Sequence, residues 1–502
     1  MACDSRVLQV GFFDVGTCAH ADTCYAINPI TPYGLLYLPP HVNETAIAVE
    51  YTNTCNKHNL CRVDNATGRQ LAPGWRLAAG ETIVVSGRTP PSSAYFSFTN
   101  YLYTRFHPLG WKSNATLERR LVSCAPGPSR CEIFAGVNDP LNYLTVRTNG
   151  PSAFDATFSF ILAADSASEA AVQAALAPEG AVNSIRFPGA IIQQGVTRGD
   201  EDELLNVMRV EGIVNEAERA AFYAAPPMRV WRVTPPPSLV VHESDMFASF
   251  EGRMRNRWTG VGEHAGTATM QELQTALVQL EKLVAARHGT GVLEKDYVSL
   301  NFTSFVVDSG YECLADGTQC QGDCRDTIYA RATLLIQDSV CNATHTPCKP
   351  SRRSQLTGAA DDALFVVGVN HQLTSHSVYS SLTAYNFPKL ASGLLQDARG
   401  VLKYTQMESD VALHGSADKY FSTGSAMSQY LYVVKFARDC SAETFDLCLE
   451  VKADPTNSSE LVIPLSSPVV ILERMYINTQ TASGPAVNET ILPKLLHFRR
   501  SN

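Results

Sequence analysis

Charge is scarce in this sequence, and positive charge is the scarcer kind. Asp, Glu, Lys and Arg make up 18% of the 502 residues, and the net charge is −9. Because no basic stripe is present to neutralise phosphates, the composition argues against a nucleic-acid-binding protein. No apolar run approaches the roughly 20 residues that a helix needs to cross a bilayer, so we expect no transmembrane segment.

The sequence also lacks a recognisable catalytic motif. The nearest approach to a hydrolase signature is Ser-Thr-Gly-Ser-Ala at residues 422–426, which is not G-x-S-x-G and has no strand–turn–helix pattern around it. His414 and Asp418 lie close by in the chain, so a Ser/His/Asp site stays open as an alternative to a flexible loop. No reaction follows from these residues.

Cysteine is absent between Cys131 and Cys313, although the chain has fourteen cysteines. Elsewhere they form neighbours six to eight residues apart, a separation that suits the two arms of a tight turn. Each bridge would stabilise the fold by roughly 2–3 kcal/mol by restricting the unfolded chain. The predicted pairs are Cys18 with Cys24, Cys55 with Cys61, Cys124 with Cys131, Cys341 with Cys348, and Cys440 with Cys448.

Four cysteines fall outside these pairs. We expect Cys3 to pair with one of Cys313, Cys320 and Cys324. Zinc is the alternative for the last three, but a structural zinc site needs four nitrogen or sulfur ligands and is helped by a reducing compartment. Disulfides are therefore favoured.

Glycosylation sequons support an oxidising compartment independently. Seven Asn-x-Ser/Thr sequons occur, most of them beside turn residues or cysteines, and such a set predicts a glycosylated chain from a eukaryotic secretory route. We expect a signal peptide to have been removed, with lipidation of Cys3 as the second interpretation. The predicted sites are Asn43, Asn65, Asn114, Asn301, Asn342, Asn457 and Asn488.

A repeated phrase organises the chain. Residues 361–388 begin with a continuous apolar run and end with an alternating strand, which predicts a β-hairpin. In that strand Tyr379, Ser381, Thr383 and Tyr385 repeat the types and spacing of an earlier set, Tyr95, Ser97, Thr99 and Tyr101, and a Val-Val pair and a Gly precede both. The repeat predicts two related β-sandwich domains.

Composition divides the chain into three parts. Residues 1–150 are predicted to form an N-terminal β-sandwich domain, 151–235 an α+β middle segment, and 236–502 a C-terminal β-rich domain. The Pro-Pro-Pro run at 235–237 marks the second boundary. Residues 269–288 predict one long amphipathic helix, because Leu273, Leu277, Leu280 and Val284 form an apolar stripe. The predicted class is mainly β with an α+β insert.

The tyrosines of the repeat are the predicted ligand-binding residues. Residues two apart share one face of a strand, so Tyr95 with Tyr101, and Tyr379 with Tyr385, flank hydroxyl side chains on an aromatic, polar surface. Such a surface suits a glycan or a small organic ligand. The alternative is a domain interface or a core face whose hydroxyls pair across strands.

Histidines near the second copy provide the catalytic candidates. His371 and His376 flank the predicted turn, and with His242, Glu243 and Asp245 they could approach one divalent metal ion. The helical His-x4-His geometry is missing here, so exposed turn residues are the alternative. No cofactor is predicted, and a divalent metal is the less favoured interpretation.

The chain resembles a bacterial group of secreted proteins that carry two tandem jelly-roll-like domains of unknown function. The similarity lies in Ala94-Tyr-Phe-Ser-Phe98, in the Tyr379–Tyr385 strand, and in an end containing Arg474-Met-Tyr476, Gly484-Pro485 and Leu492-Pro493. The sequence departs from the group at Ala94, where Arg is usual, and in its many cysteines. The resemblance implies jelly-roll-like sandwiches and brings no catalytic residues.

Together these features predict a secreted or cell-surface, disulfide-rich glycoprotein. It would bind a glycan, a small ligand or an extracellular protein partner in a cleft between its domains. The alternative is a secreted enzyme, a metal-assisted hydrolase or lyase, with its site near the hairpin at 361–386.

Overall fold

The computed structural model is mainly β, with few helices, as the sequence predicts. Its contacts divide the chain into unit 1, Met1–Arg255 with Val307–Arg325, and unit 2, Asn256–Val306 with Asp326–Asn502. No helix in the described ranges is long and apolar enough to span a membrane. The structure describes residues 8–11, 13–15, 33–39, 41, 62–63, 68, 70–107, 129–197, 200–234, 238–248, 254–289, 297–304, 314, 320, 322–333, 356–359, 362–386, 403–421, 425–453, 463, 465 and 469–498.

Unit 1 contains two main sheets and one short strand pair. Its strands are β1 (Leu8–Gly11), β2 (Phe13–Val15), β3 (Gly34–Leu36), β4 (Arg62–Val63), β5 (Gln70–Leu71), β6 (Thr82–Arg88), β7 (Tyr95–His107), β8 (Ser129–Gly136), β9 (Leu141–Asn142), β10 (Thr157–Ala163), β11 (Val182–Arg186), β12 (Glu203–Glu211) and β13 (Met228–Val233). Sheet A has the order β1-β13-β6-β10-β11. Sheet B has the order β2-β3-β12-β7-β8, with β9 also paired to β7, while β4 pairs only with β5.

Side chains from both sheets form the core of unit 1. Phe98 of β7 packs against Phe158 and Phe160 of β10, with ring centroids 5.5 and 4.9 Å apart. Val85 of β6 and Met208 of β12 belong to the same buried cluster. Because alternate residues of a strand point to opposite faces, the phenylalanines of β7 turn its tyrosines away from this core.

Two helices of unit 1 begin after polar N-cap residues. Helix α1 (Ser166–Leu176) begins after Asp165, whose carboxylate accepts from the Ser168 amide. Helix α2 (Glu216–Ala224) starts after Asn215, which accepts from two amides of the first turn. Since α1 connects the parallel strands β10 and β11, it serves as a crossover helix.

Unit 2 is also built on two sheets. Its strands are β14 (Tyr297–Asn301), β15 (Thr303–Ser304), β16 (Thr327–Thr333), β17 (Ala363–Val369), β18 (Tyr379–Asn386), β19 (Lys403–Ser409), β20 (Leu431–Ala437), β21 (Leu447–Glu450), β22 (Val469–Tyr476) and β23 (Lys494–Phe498). Sheet C has the order β14-β23-β17-β20-β21. Sheet D has the order β15-β16-β22-β18-β19. A single helical turn, α4 (Asp410–Leu413), follows β19.

The long amphipathic helix predicted for unit 2 is present. Helix α3 (Met270–His288) begins at a capping box between Thr269 and Glu272 and ends at Gly289. Its apolar stripe, Leu273, Leu277, Leu280 and Val284, lies in one buried cluster with Phe365, Val367, Val433 and Leu496 of sheet C. The other face of sheet C shares a second cluster with sheet D. Burial on both faces explains why β17 is apolar throughout.

The predicted hairpin at 361–386 is wrong. Strand β17 pairs with β20 and β23 in sheet C, whereas β18 pairs with β19 and β22 in sheet D. The residues between them therefore cross from one sheet to the other. The earlier copy of the repeated phrase is arranged in the same way, because β6 lies in sheet A and β7 lies in sheet B. Period and turn residues identify the strands, but the strands' partners come from other parts of the chain.

The two units have the same strand order. Sheets A and C match position by position, as do sheets B and D, and the edge pairs β10/β11 and β20/β21 are both parallel. The two tyrosine-bearing strands, β7 and β18, occupy the same place. Residues 1–150 and the predicted middle segment 151–235 contribute strands to the same two sheets, so both belong to unit 1.

One predicted disulfide is confirmed. Cys440 and Cys448 are bonded across the connection between β20 and β21. Cys131 is also disulfide-bonded. The remaining predicted partners, Cys18, Cys24, Cys55, Cys61, Cys124, Cys341 and Cys348, lie outside the described residues.

Candidate functional site

The four predicted ligand-binding tyrosines lie on the sheet faces that point away from the shared cores. Tyr95, Tyr101 and Tyr385 are fully buried, and Tyr379 is 8% exposed. The Tyr95 hydroxyl donates to Ser97 Oγ at 2.6 Å. Burial of this kind favours the alternative left open by the sequence, in which hydroxyls pair within the protein. Ligand binding by these tyrosines stays a prediction.

An arginine completes the tyrosine face of unit 1. Arg209 of β12 lies opposite Ser97 of β7 in the strand register. Its guanidinium donates to Thr99 Oγ1 at 2.8 Å and to the Tyr101 hydroxyl, and lies 5.1 Å from the Tyr33 ring centroid. A planar cation between aromatic rings, with its N–H groups on hydroxyls, holds the face in one arrangement.

Unit 2 carries an arginine in the corresponding place. Arg474 of β22 lies opposite Ser381 of β18, as Arg209 lies opposite Ser97. Its guanidinium carbon is 5.3 Å from the Tyr385 ring centroid and 5.7 Å from that of Tyr329. The sequence offers one signal for both arginines, a single cation inside an otherwise mostly apolar strand, which indicates a paired charge.

A buried histidine–carboxylate cluster forms in unit 2 around one of the catalytic candidates. The side chains of His371 and Glu263 have no solvent exposure. His371 Nδ1 donates to Glu263 Oε1 at 2.7 Å, and the Thr374 hydroxyl donates to the same oxygen at 2.7 Å. The Ile491 amide donates to Glu263 Oε2 at 2.9 Å. The carboxylate is thus held by three donors.

A second carboxylate faces the other side of the imidazole. Glu473 Oε2 lies 3.7 Å from His371 Nε2, beyond hydrogen-bond distance. The Tyr432 hydroxyl donates to Glu473 Oε1 at 3.0 Å. Gly368 makes room for that tyrosine, because a Cβ at this position would lie 2.5 Å from the Tyr432 hydroxyl. Close backbone approach explains the glycine inside β17.

Electrostatics favour an ion pair in this cluster. Burial acts to lower the pKa of His371, but the charges of Glu263 and Glu473 outweigh it and raise that pKa well above its usual value. Burial acts to raise the pKa of Glu263, but His371, His376 and the Ile491 amide together lower it. His371 is therefore an imidazolium at neutral pH, paired with the Glu263 carboxylate.

The second histidine of the predicted pair is buried in the same region but remains neutral. His376 Nε2 lies 2.9 Å from the Thr490 hydroxyl, which donates its own proton to the Ala486 carbonyl. Burial lowers the pKa of His376, and the charge of His371 adds to this effect. The structure therefore places both histidines near Glu263, one as a cation and one as a neutral donor.

The remaining catalytic candidates are not part of this cluster. His242, Glu243 and Asp245 belong to unit 1, where the first two are exposed in a short 3₁₀ turn. Asp245 accepts from the His242 amide at 2.8 Å, so its carboxylate caps that turn. Within the described ranges, no group of three or more His, Cys, Asp or Glu residues could hold a metal ion.

Two of the seven predicted glycosylation sites fall within the described residues. Asn301 in β14 and Asn488 in a 3₁₀ turn (Val487–Glu489) are both exposed. Exposure is what a glycan-bearing side chain requires. Asn43, Asn65, Asn114, Asn342 and Asn457 lie outside the described residues.

Comparison with known proteins identifies no family. No protein-family model matches the chain, and no curated protein matches it in sequence. Among solved structures, the VPA0106 protein of Vibrio parahaemolyticus is similar at TM-score 0.35 and 10% identity, covering 94% of this chain and 90% of its own. A putative uncharacterized protein from Burkholderia cenocepacia is similar at TM-score 0.34 and 10% identity, covering 97% and 81%. At these TM-scores neither similarity supports an argument about fold or function.

Proposed function

We propose that this protein is a secreted or cell-surface glycoprotein of two related, jelly-roll-like β-sandwich domains, which acts by binding and not by catalysis. The fold part of the proposal rests on strand order. A jelly roll places eight strands in two four-stranded sheets. Within unit 1, β1-β13-β6-β10 and β3-β12-β7-β8 follow this arrangement, and unit 2 repeats it with β14-β23-β17-β20 and β16-β22-β18-β19. Duplication of one ancestral sandwich domain accounts for the strand order that the two units share.

The functional part of the proposal, that the protein acts by binding, rests on the burial of the side chains that could do chemistry. His371, Glu263 and Glu473 are buried, as are the four tyrosines and both arginines between them. A general base or a nucleophile has to reach its substrate within hydrogen-bond distance. Side chains that are buried and paired within the protein stabilise the fold instead. Ligand binding is then assigned to surface loops that the β-sandwiches hold in place.

The extracellular part of the proposal is supported by two features. The Cys440–Cys448 disulfide suits an oxidising compartment, and Asn301 and Asn488 present exposed sequons. A glycan, a small organic ligand or an extracellular protein is the proposed partner. The cleft between domains stays a prediction from the sequence.

Secretion and ligand screening test the proposal together. We expect the chain, expressed behind a signal peptide in a eukaryotic host, to be secreted with glycans on its sequons. Screening against an oligosaccharide array and a panel of small ligands should then find a compound that raises the melting temperature. Retention of the chain as an unglycosylated cytosolic protein would overturn the proposed extracellular location.

One observation favours the enzyme as a second candidate. His371 Nε2 and Glu473 Oε2 face each other at 3.7 Å, and neither atom has a hydrogen-bond partner among the described residues. A histidine cation placed between two buried carboxylates is an arrangement that active sites use to set the protonation of a general acid or base. If a hydrolytic or lyase activity is found, Glu473→Gln should abolish it in a protein that stays folded, whereas the binding proposal expects no activity to lose.

A further inference from the structure

The most exposed aromatic side chain among the described residues of unit 2 lies on a turn, residues 256–264, at the start of that unit. Trp258 is 55% exposed and Val261 is 54% exposed. Contact with another group would remove this apolar area from water, which is favourable. The turn contains no exposed acidic or basic side chain other than His264, because Arg257 and Glu263 are buried.

The turn is held rigidly despite its exposure. The Asn256 side chain bonds both the amide and the carbonyl of Trp258, at 3.0 and 3.2 Å. The Thr259 hydroxyl donates to the Val261 carbonyl at 2.7 Å. Gly260 supplies the positive φ of +78° that the reversal requires. The indole is therefore presented on an ordered backbone, which lowers the entropic cost of covering it.

A single residue of another segment anchors this turn. The Glu489 carboxylate accepts from the amides of Thr259 and Gly260 at 2.8 and 2.7 Å. The Glu263 amide donates to the Glu489 carbonyl at 2.8 Å. Three hydrogen bonds thus tie the exposed turn to residue 489.

The residue next to that anchor is a predicted glycosylation site. Asn488 is exposed, and Asn488, Glu489 and Thr490 form its sequon. Because the Glu489 side chain is bonded to the turn and Glu489 is joined to Asn488 by a peptide bond, the sequon lies one residue from the anchor of the turn that carries the indole. A sugar has an apolar face of C–H groups that stacks well on an aromatic ring. An N-linked glycan on Asn488 would supply such a sugar, covalently attached close to the turn.

We propose that an N-linked glycan on Asn488 packs its first sugar against Trp258 and Val261. This inference rests on the proposed glycoprotein function and adds a specific contact to it. The carbohydrate would cover the exposed indole from the adjacent residue, without any second molecule. Asn301, the second exposed sequon among the described residues, lies in strand β14 and serves as the internal control.

Occupancy and indole accessibility test the inference. The protein is expressed in a eukaryotic secreting host, and glycopeptide mass spectrometry measures occupancy at Asn488 and Asn301. Acrylamide quenching of Trp258 is obtained as the difference between the wild type and Trp258→Phe. Covering most of the exposed half of the indole should lower the quenching constant roughly twofold relative to Asn488→Gln. Asn301→Gln should leave quenching unchanged.

Enzymatic trimming of the folded glycoprotein provides a second measurement that needs no substitution at the sequon. An endoglycosidase that leaves one sugar should preserve the protection of Trp258, and an amidase that removes the whole glycan should abolish it. Glycan at Asn301 but none at Asn488 would overturn the inference and leave the proposed function standing. Occupied Asn488 with unchanged quenching would also overturn it. Absence of glycan from both sites would instead count against the proposed function.

Discussion

Buried charge at individual residues dominates the chemistry of unit 2. His371 and Glu263 form an ion pair without solvent exposure, and each holds the other in its charged form. Removing one member of such a pair leaves the other charge buried and uncompensated. The Glu263–His371 pair is therefore the point at which a small change should have the largest effect on stability.

Substituting His371 should destabilise unit 2 strongly. We expect His371→Gln to lower the free energy of unfolding of unit 2 by about 3–5 kcal/mol, because Glu263 loses its buried partner. Denaturant unfolding followed by Trp258 fluorescence measures this, since Trp258 is the only tryptophan of unit 2. The exposed His264 provides the control, and His264→Gln should change stability little. An effect of His371→Gln no larger than the control would contradict the ion pair.

The contribution of this pair should depend on pH in a defined direction. His371 has a raised pKa, so its contribution is complete below the unfolded value of about 6.5 and is lost as pH rises through the folded pKa. Glu263 has a lowered pKa, so its contribution is complete above about 4.3 and is lost as pH falls through the folded pKa. Both are complete between these limits.

The stability difference between the wild type and His371→Gln should therefore be largest near pH 5–6 and shrink on either side. Taking the difference reduces the contribution of His376, which is present in both proteins and whose lowered pKa weakens the fold at low pH. Unfolding free energies measured at several pH values test this. A difference that keeps growing above pH 8 would contradict the assignment of His371 as the cation.

At the scale of elements, one glycine controls how strand β17 meets its neighbour. A Cβ on Gly368 would lie 2.5 Å from the ring of Tyr432, whose hydroxyl bonds Glu473. We expect Gly368→Ala to cost about 1–3 kcal/mol, because the ring has to move in a packed core. Gly358→Ala is the matched control, since a Cβ there meets nothing within 4 Å. Denaturant unfolding followed by Trp258 fluorescence gives the free energies of unfolding of the two variants. Equal values would show that the Tyr432 ring moves aside at no cost.

The elements also show where sequence reasoning succeeds and fails. Helix α3 matches its predicted bounds closely, because an apolar stripe is a local property. The predicted hairpin failed because the pairing of β17 and β18 is not local. Strand β17 pairs with β20 and β23, and β18 pairs with β22 as well as with β19, so three of their four partners lie far along the chain.

At the scale of the whole molecule, the repeated strand order makes a paired prediction. Arg209 and Arg474 occupy equivalent positions, each between tyrosines and opposite a serine. We expect Arg209→Lys to destabilise unit 1 and Arg474→Lys to destabilise unit 2, each by about 1.5–3 kcal/mol, because Lys lacks the planar fork.

Tryptophan fluorescence separates the two effects. Trp75, Trp111 and Trp231 report on unit 1 in a Trp258→Phe background, and the difference between the Trp258-containing protein and that background reports on unit 2. The exposed Arg88, paired with Asp155, provides the control, and Arg88→Lys should change the stability of unit 1 little. If only one of the two buried arginines matters for its own unit, the two positions are not equivalent in energy.

The sequence alone determined the local properties of this protein: its β-rich character, the stripe and cap of α3, the Cys440–Cys448 bridge and the repeat of the tyrosine strands. Each follows from residues close together in the chain. Only the tertiary structure decided which sheet each strand joins and which side chains meet. Glu263 and His371 are 108 residues apart, and Arg209 reaches Tyr101 across 108. Periodicity assigns a side chain to a face, but its partner is chosen by the burial summed over the whole unit.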